Sequence, residues 1–157
     1  MRYFNFALAV IAAPLFSSLL LAGNPAPPNF AGTWQLDTAK SQNAEGETIT
    51  LTIQNASGKM NFERVVRDKD GKEVKSQFSC EIGGNSCDFD ENGHKAKVSL
   101  WYNGPALQIL KTDGPKEDAS TQLSLELSSD HKILTIQLEH IEPMDKAQTL
   151  VFEKKGT

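Results

Sequence analysis

Segment 48–53 reads Thr-Ile-Thr-Leu-Thr-Ile, and no helix can sort those residues. Alternation every two residues places Ile49, Leu51 and Ile53 on one face and the threonines on the other, the mark of a strand with one dry face. Threonine also suits the solvent side of a pleated surface. Segment 122–127 repeats the pattern with Leu123, Leu125 and Leu127, and Leu134, Ile136 and Leu138 follow it. Further candidates are Met60 with Phe62, Phe78 with Cys80 and Ile82, Val98 with Leu100, Leu107 with Ile109, and Leu150 with Phe152, after a first strand over 32–37. Past residue 24 no segment carries an apolar i, i+3, i+4, i+7 stripe over three turns.

Turn-forming residues punctuate these segments at Asn55-Ala-Ser-Gly58, Asp68-Lys-Asp-Gly71, Gly83-Gly84, Asn92-Gly93, Asn103-Gly-Pro105 and Ser129-Asp130. They tolerate positive φ or start turns. The expected fold is therefore all-β: an antiparallel up-and-down meander closed into an eight- or nine-stranded barrel. A two-sheet sandwich is the alternative, because alternation does not say whether the edges meet. Charges within the strands, such as Glu63, Arg64, Lys75 and Glu126, and the lack of aromatic girdles argue against a transmembrane barrel.

The 157 residues suit one domain, and 39% apolar residues plus 11 glycines match a globular chain. A net charge of −4 gives no general attraction to phosphate backbones, and the charge clusters over 64–75 and at Lys154-Lys155, balanced or short, read as solvated hairpins. Nucleic acid is therefore not an expected partner. Residues 1–23 carry Arg2 early, no acid, an apolar core and small residues before a polar break, the layout of a secretory signal peptide. Pro14 and Ser17-Ser18 interrupt the apolar run and no basic stop-transfer cluster follows, so cleavage rather than anchoring is expected. Asn24 stands where a lipoprotein would need its cysteine. The expected organisation is a signal over 1–23, a Pro-rich arm over 24–29 and a barrel over 30–157, secreted or periplasmic.

In an oxidising compartment Cys80 and Cys87 pair. The intervening Gly83-Gly84-Asn85 allows a tight reversal, and closing so short a loop contributes about 2.5 kcal/mol on a chain-entropy argument. The spacing is not Cys-x-x-Cys and no helix start is present to lower a thiol pKa, so the pair reads as a structural staple.

The opening Phe30-Ala-Gly-Thr-Trp-Gln-Leu36 holds Gly32 and Trp34 in the G-x-W arrangement, and Leu150-Val-Phe-Glu-Lys154 closes the chain. The two ends resemble small secreted bacterial lipocalin-like proteins of the calycin type. That resemblance implies a barrel with Trp34 on its first strand and a basic residue, Lys154 or Lys155, packed on the indole. Burying an indole removes about 150–250 Å² from water, worth about 4–6 kcal/mol. Gly32, two residues before, allows close approach of a neighbour. Trp34 is expected as a plug at one barrel end. Asp37 is expected to accept amide hydrogen bonds where the chain turns toward Lys40.

Signals for chemistry are sparse. Asp88-Phe-Asp-Glu-Asn-Gly93 matches half of a calcium loop, but Ser99 stands where a bidentate glutamate is required, and a strand end with an Asn-Gly turn accounts for the same letters. His94 and His131 sit beside turn residues, and no H-E-x-x-H or H-x-H spacing occurs. No G-x-S-x-G or phosphate-loop motif is present. Glu63, Glu81 and Glu139 are the acids that glycosidase chemistry would need gathered in one cleft, and no spacing in the sequence pairs them. No cofactor, metal or catalytic residue is expected. Parity assigns Met60, Phe62, Val98, Leu100, Leu107, Ile109, Leu123, Leu125, Ile136 and Leu138 to the interior, with His140 near a mouth. Such an interior either packs on itself or holds one small ligand. The expectation is a non-enzymatic barrel binding a small apolar or amphipathic molecule inside, with no stable membrane anchor. A protein-recognition or inhibitor module with a filled core is the alternative, its partner unknown.

Overall fold

A computed structural model describes residues 26–42, 46–91, 93–113, 119–142 and 144–156, so the leader-like segment 1–23 lies outside the described residues. Ten strands follow one another: β1 (Gly32–Leu36), β2 (Thr48–Ala56), β3 (Lys59–Arg67), β4 (Glu73–Glu81), β5 (Ser86–Glu91), β6 (His94–Asn103), β7 (Ala106–Asp113), β8 (Ala119–Leu127), β9 (Ile133–Glu142) and β10 (Gln148–Lys154). They form one antiparallel sheet in the order β4-β3-β2-β1-β10-β9-β8-β7-β6-β5. Every neighbour is also a chain neighbour except where β1 pairs β10, Trp34 opposite Lys154, which rolls the meander into a nearly closed barrel. The sandwich alternative is set aside.

The expectation of eight or nine strands is corrected to ten. The segment read as a strand end and turn, starting at Asp88, belongs to a full strand, β5. Its apolar signal is weak because the inward positions are Cys87 and Phe89, while Asp88 and Asp90 point outward opposite Lys97 and Lys95. A cysteine and one phenylalanine between acids do not look like a hydrophobic strand, although the alternation is intact.

Local chemistry sets the hairpins. Ser57 and Gly58 both have positive φ, 49° and 81°, between the paired Ala56 and Lys59. That is the two-residue turn whose twist matches its flanking strands, and it suits glycine at the second position. Asp68 Oδ1 accepts from the backbone N–H groups of Asp70 and Lys72, closing the β3–β4 turn. Asp37 Oδ1 accepts from the N–H groups of Ala39 and Lys40 at 3.0 and 3.3 Å, as its position after β1 suggested.

Alternation then decides the core. Ile49, Leu51 and Ile53 of β2, Met60 and Phe62 of β3, Ala96, Val98 and Leu100 of β6, Leu107 and Ile109 of β7, Leu125 of β8, and Leu134 and Ile136 of β9 are buried on the inner face. The outer face carries threonines, glutamines and ion pairs such as Lys75–Glu63 at 2.7 Å. Among the described residues no helix is long and apolar enough to cross a membrane.

Candidate ligand-binding cavity

The chain enters the barrel at the end where Phe30 and Trp34 are both fully buried. The indole Nε1 donates to the Phe30 carbonyl at 3.1 Å, satisfying its one polar atom. Tyr102 lies 6.4 Å from the Phe30 ring, centre to centre, and its hydroxyl donates to the Pro28 carbonyl at 3.3 Å. Burial pushes the Tyr102 phenol above its ordinary pKa. The Lys154 ammonium sits 5.1 Å from the indole centre, which settles the choice between Lys154 and Lys155. Gly32 has φ +151°, a conformation that favours glycine, and a Cβ there would lie 2.8 Å from Lys154 Cε, so the lysine would have to shift off its present place beside the indole. Met60, Leu100, Leu107 and Leu134, at 0–1% exposure, pack behind the indole and fill this end.

The other half is not filled. A cavity of about 310 Å³ is lined by Ile49, Leu51, Phe62, Arg64, Ser76, Phe78, Phe89, Val98, Ile109, Lys111, Thr121, Leu123, Leu125, Ile136, Leu138, His140, Leu150 and Phe152. Of the interior residues expected from parity, Phe62, Val98, Ile109, Leu123, Leu125, Ile136, Leu138 and His140 meet there. Met60, Leu100 and Leu107 do not: they belong to the packed end. Their parity is right, but parity carries no information on height along the barrel axis.

The polar groups of the cavity form two register rows. Lys111, Thr121 and His140 are cross-strand partners on β7, β8 and β9, and Arg64 is opposite Ser76 on β3 and β4. Thr121 Oγ1 and His140 Nδ1 lie 3.0 Å apart. The Lys111 ammonium is 3.2 Å from Asp113 and 5.6 Å from the centre of the Phe89 ring. Arg64 is exposed, whereas Lys111, Thr121 and His140 are half-buried and Ser76 is buried, so the collar grades from solvent to apolar interior. A hydrocarbon floor under two cations, two hydroxyls and an imidazole can hold an amphipathic molecule whose head is anionic.

Reading 64–75 as solvated hairpin charge therefore missed Arg64. It follows Met60 and Phe62 at the same two-residue spacing, as Lys111 follows Leu107 and Ile109 and Thr121 precedes Leu123. Extending each apolar run by one inward step toward the mouth would have found all three. Ser76, one inward step before Phe78, is found the same way.

The other candidates disperse. Glu63 pairs with Lys75, Glu81 with Lys59 at 3.7 Å, and Glu139 is exposed on the outer face of β9. His94 begins β6 in solvent, and His131 is an exposed turn residue with φ 56°. Among the described residues no three His, Cys, Asp or Glu side chains gather as metal ligands would.

Cys80 and Cys87 are joined in a disulfide, Cα to Cα 5.6 Å, linking β4 to β5. The expected pairing is present, and the reversal between the two cysteines joins edge strands that are not laddered to each other. The intervening Gly83 and Gly84 donate their N–H groups to the Leu100 carbonyl of β6 at 2.9 and 2.8 Å, and this draws the connection away from a β4–β5 ladder.

The described residues thus form a nearly closed ten-stranded antiparallel meander with a plugged end and a hollow half, a fold like that of calycin-type barrels. The same fold is found in solved structures that include fatty-acid-binding proteins. A solved structure described as the REP1-NXSQ fatty acid transporter superposes with a TM-score of 0.63 at 17% identity, covering 82% of this chain and 97% of that one. Fatty-acid-binding protein 1 of Echinococcus granulosus gives 0.62 at 11% identity over 81% of this chain and 98% of its own. Secretory abundant heat soluble protein 4 from Ramazzottius varieornatus gives 0.61 at 13% over 85% and 97%. Identities this low establish shared architecture. No protein-family model and no curated protein matches the sequence.

Proposed function

We propose that this protein is an exported, non-enzymatic carrier that holds one small amphipathic molecule inside the barrel. The observation that carries this reading is the cavity of about 310 Å³. Binding pockets for small molecules begin at about 300 Å³, are mostly apolar, and use a few convergent polar groups for orientation. The hydrocarbon of the ligand lies against Leu123, Ile136, Leu138 and Phe62, and its anionic or polar head lies among Arg64, Ser76, Lys111, Thr121 and His140. The fold-level likeness to proteins described as fatty acid transporters and fatty-acid-binding proteins supports this reading. The leader-like 1–23 and the Cys80–Cys87 disulfide support export.

Titration with anilinonaphthalene sulfonate, an apolar anion whose fluorescence rises on burial, tests it. One site per chain is expected. Arg64→Ala and Lys111→Ala should each weaken binding about 10- to 100-fold, the loss of one charge-assisted hydrogen bond. Neither should change affinity for an uncharged apolar dye by more than about twofold. Native mass spectrometry of the protein taken from its own host should show a retained small mass. A bare chain that also ignores the dye would dismiss the carrier reading.

A further inference from the structure

The barrel wall is laddered by backbone hydrogen bonds all the way round except at its two edge strands. Among the described residues no ladder joins β4 to β5. At the closed end this seam is pinned by the Cys80–Cys87 disulfide and by Gly83 and Gly84 donating to Leu100. Toward the mouth it is spanned by side chains. Phe78 and Phe89 meet edge to face across it, ring centres 5.5 Å apart, and Phe62 stacks on Phe78 at 4.8 Å. All three rings also line the cavity, and the Lys111 ammonium lies behind Phe89.

A ladder can part only by breaking several backbone hydrogen bonds together. Two phenyl rings can part by side-chain rotation with a small separation of the strands. With its lower end fixed by the disulfide, such a separation opens as a wedge whose wide side faces the mouth. We infer that the β4–β5 seam is a side portal of the barrel, gated by Phe78 and Phe89 and pinned by Cys80–Cys87, through which an apolar ligand enters and leaves the cavity. This rests on the carrier reading above. An apolar gate favours passage of hydrocarbon or an aromatic face, and Lys111 meets an anionic head on the inner side.

Gln77 and Asp90 are exposed on the outer face, each one residue from a gate phenyl and away from the cavity lining. In a Gln77→Cys/Asp90→Cys protein, folded and with its native disulfide intact, a short cleavable bifunctional thiol reagent ties the seam shut from outside. Stopped-flow binding of anilinonaphthalene sulfonate is then compared before linking, after linking and after cleavage of the reagent. The portal predicts that association and dissociation both slow by about tenfold or more while the dissociation constant stays within about twofold, with full recovery on cleavage. Phe89→Ala, which removes half the gate, should speed both rates. Binding whose rates ignore the link overturns the portal and leaves the carrier reading standing, because the ligand then uses the mouth. A parent protein that does not bind the dye overturns both.

Discussion

The two ends of this barrel are built from the same strands with the same alternation, yet one is solid and the other hollow. At the closed end Phe30, Trp34, Met60, Leu100, Leu107 and Leu134 converge, and the segment before β1 folds inward so that Phe30 adds a ring from outside the sheet. Toward the mouth the inward positions mix aliphatic residues, polar groups and the rings of Phe62, Phe78, Phe89 and Phe152, which line the cavity without filling it. Whether a barrel of this kind is a packed core or a container thus depends on which residues sit at each height along its axis. Burial is most complete at the solid end, whereas the hollow half carries polar groups near the mouth, where solvent and partners satisfy them.

The largest expected effect that tests this contrast is at Trp34. Trp34→Ala should cost about 3–5 kcal/mol, the loss of a fully buried indole with little room for collapse. Denaturant unfolding followed by circular dichroism checks this, and a cost below about 1 kcal/mol would mean that the plug is dispensable. A finer comparison uses one strand and one chemistry. Leu134 is fully buried at the packed end, and Leu138, two inward steps closer to the mouth on the same strand, borders the cavity. Leu134→Ala creates a new void and should cost about 3–4 kcal/mol, whereas Leu138→Ala enlarges an existing one and should cost about 1–2 kcal/mol. Equal costs would show that the two halves are packed alike.

That contrast also marks how far sequence reasoning reaches. The inner face of every long strand was legible, because alternation in segments such as 48–53 and 122–127 fixes which residues face inward. Trp34 as a plug was legible from its bulk beside Gly32. What alternation does not carry is height: Leu100 and Leu123 look equivalent in a parity list, but one lies under the indole and the other on the cavity. Height comes from the register between strands, such as Trp34 opposite both Lys154 and Leu51, which is a long-range property. The polar collar was missed for a related reason. Arg64 and Lys111 look like surface charge until the strand is continued past its apolar run. β5 was hidden because cysteine and acids mask its alternation.

The smallest effects lie in the turns, and they too differ between the ends. Asp37, after β1 at the mouth end, is held below its ordinary pKa first by the hydrogen bond from the Lys40 ammonium, 2.7 Å away. Asp130, in the β8–β9 turn at the closed end, is lowered first by the Ser128 hydroxyl at 2.6 Å and then by the Lys132 backbone N–H. A carboxyl with a depressed folded-state pKa stabilises the fold above its unfolded value of about 3.9, and that contribution disappears as the pH falls through the folded value. Asp37→Asn and Asp130→Asn should therefore each lower the thermal midpoint slightly at pH 7, and the effect should shrink as the pH falls below the ordinary carboxyl value. Salt separates them: the Asp37 effect depends on an exposed ammonium and should shrink in 1 M NaCl, where screening reaches only about 3 Å. The Asp130 effect comes from a hydroxyl and an amide and should persist. Calorimetric scans of both variants at low and high salt read the difference, and a salt-insensitive Asp37 would mean that the Ala39 and Lys40 backbone amides, rather than the ammonium, hold that turn.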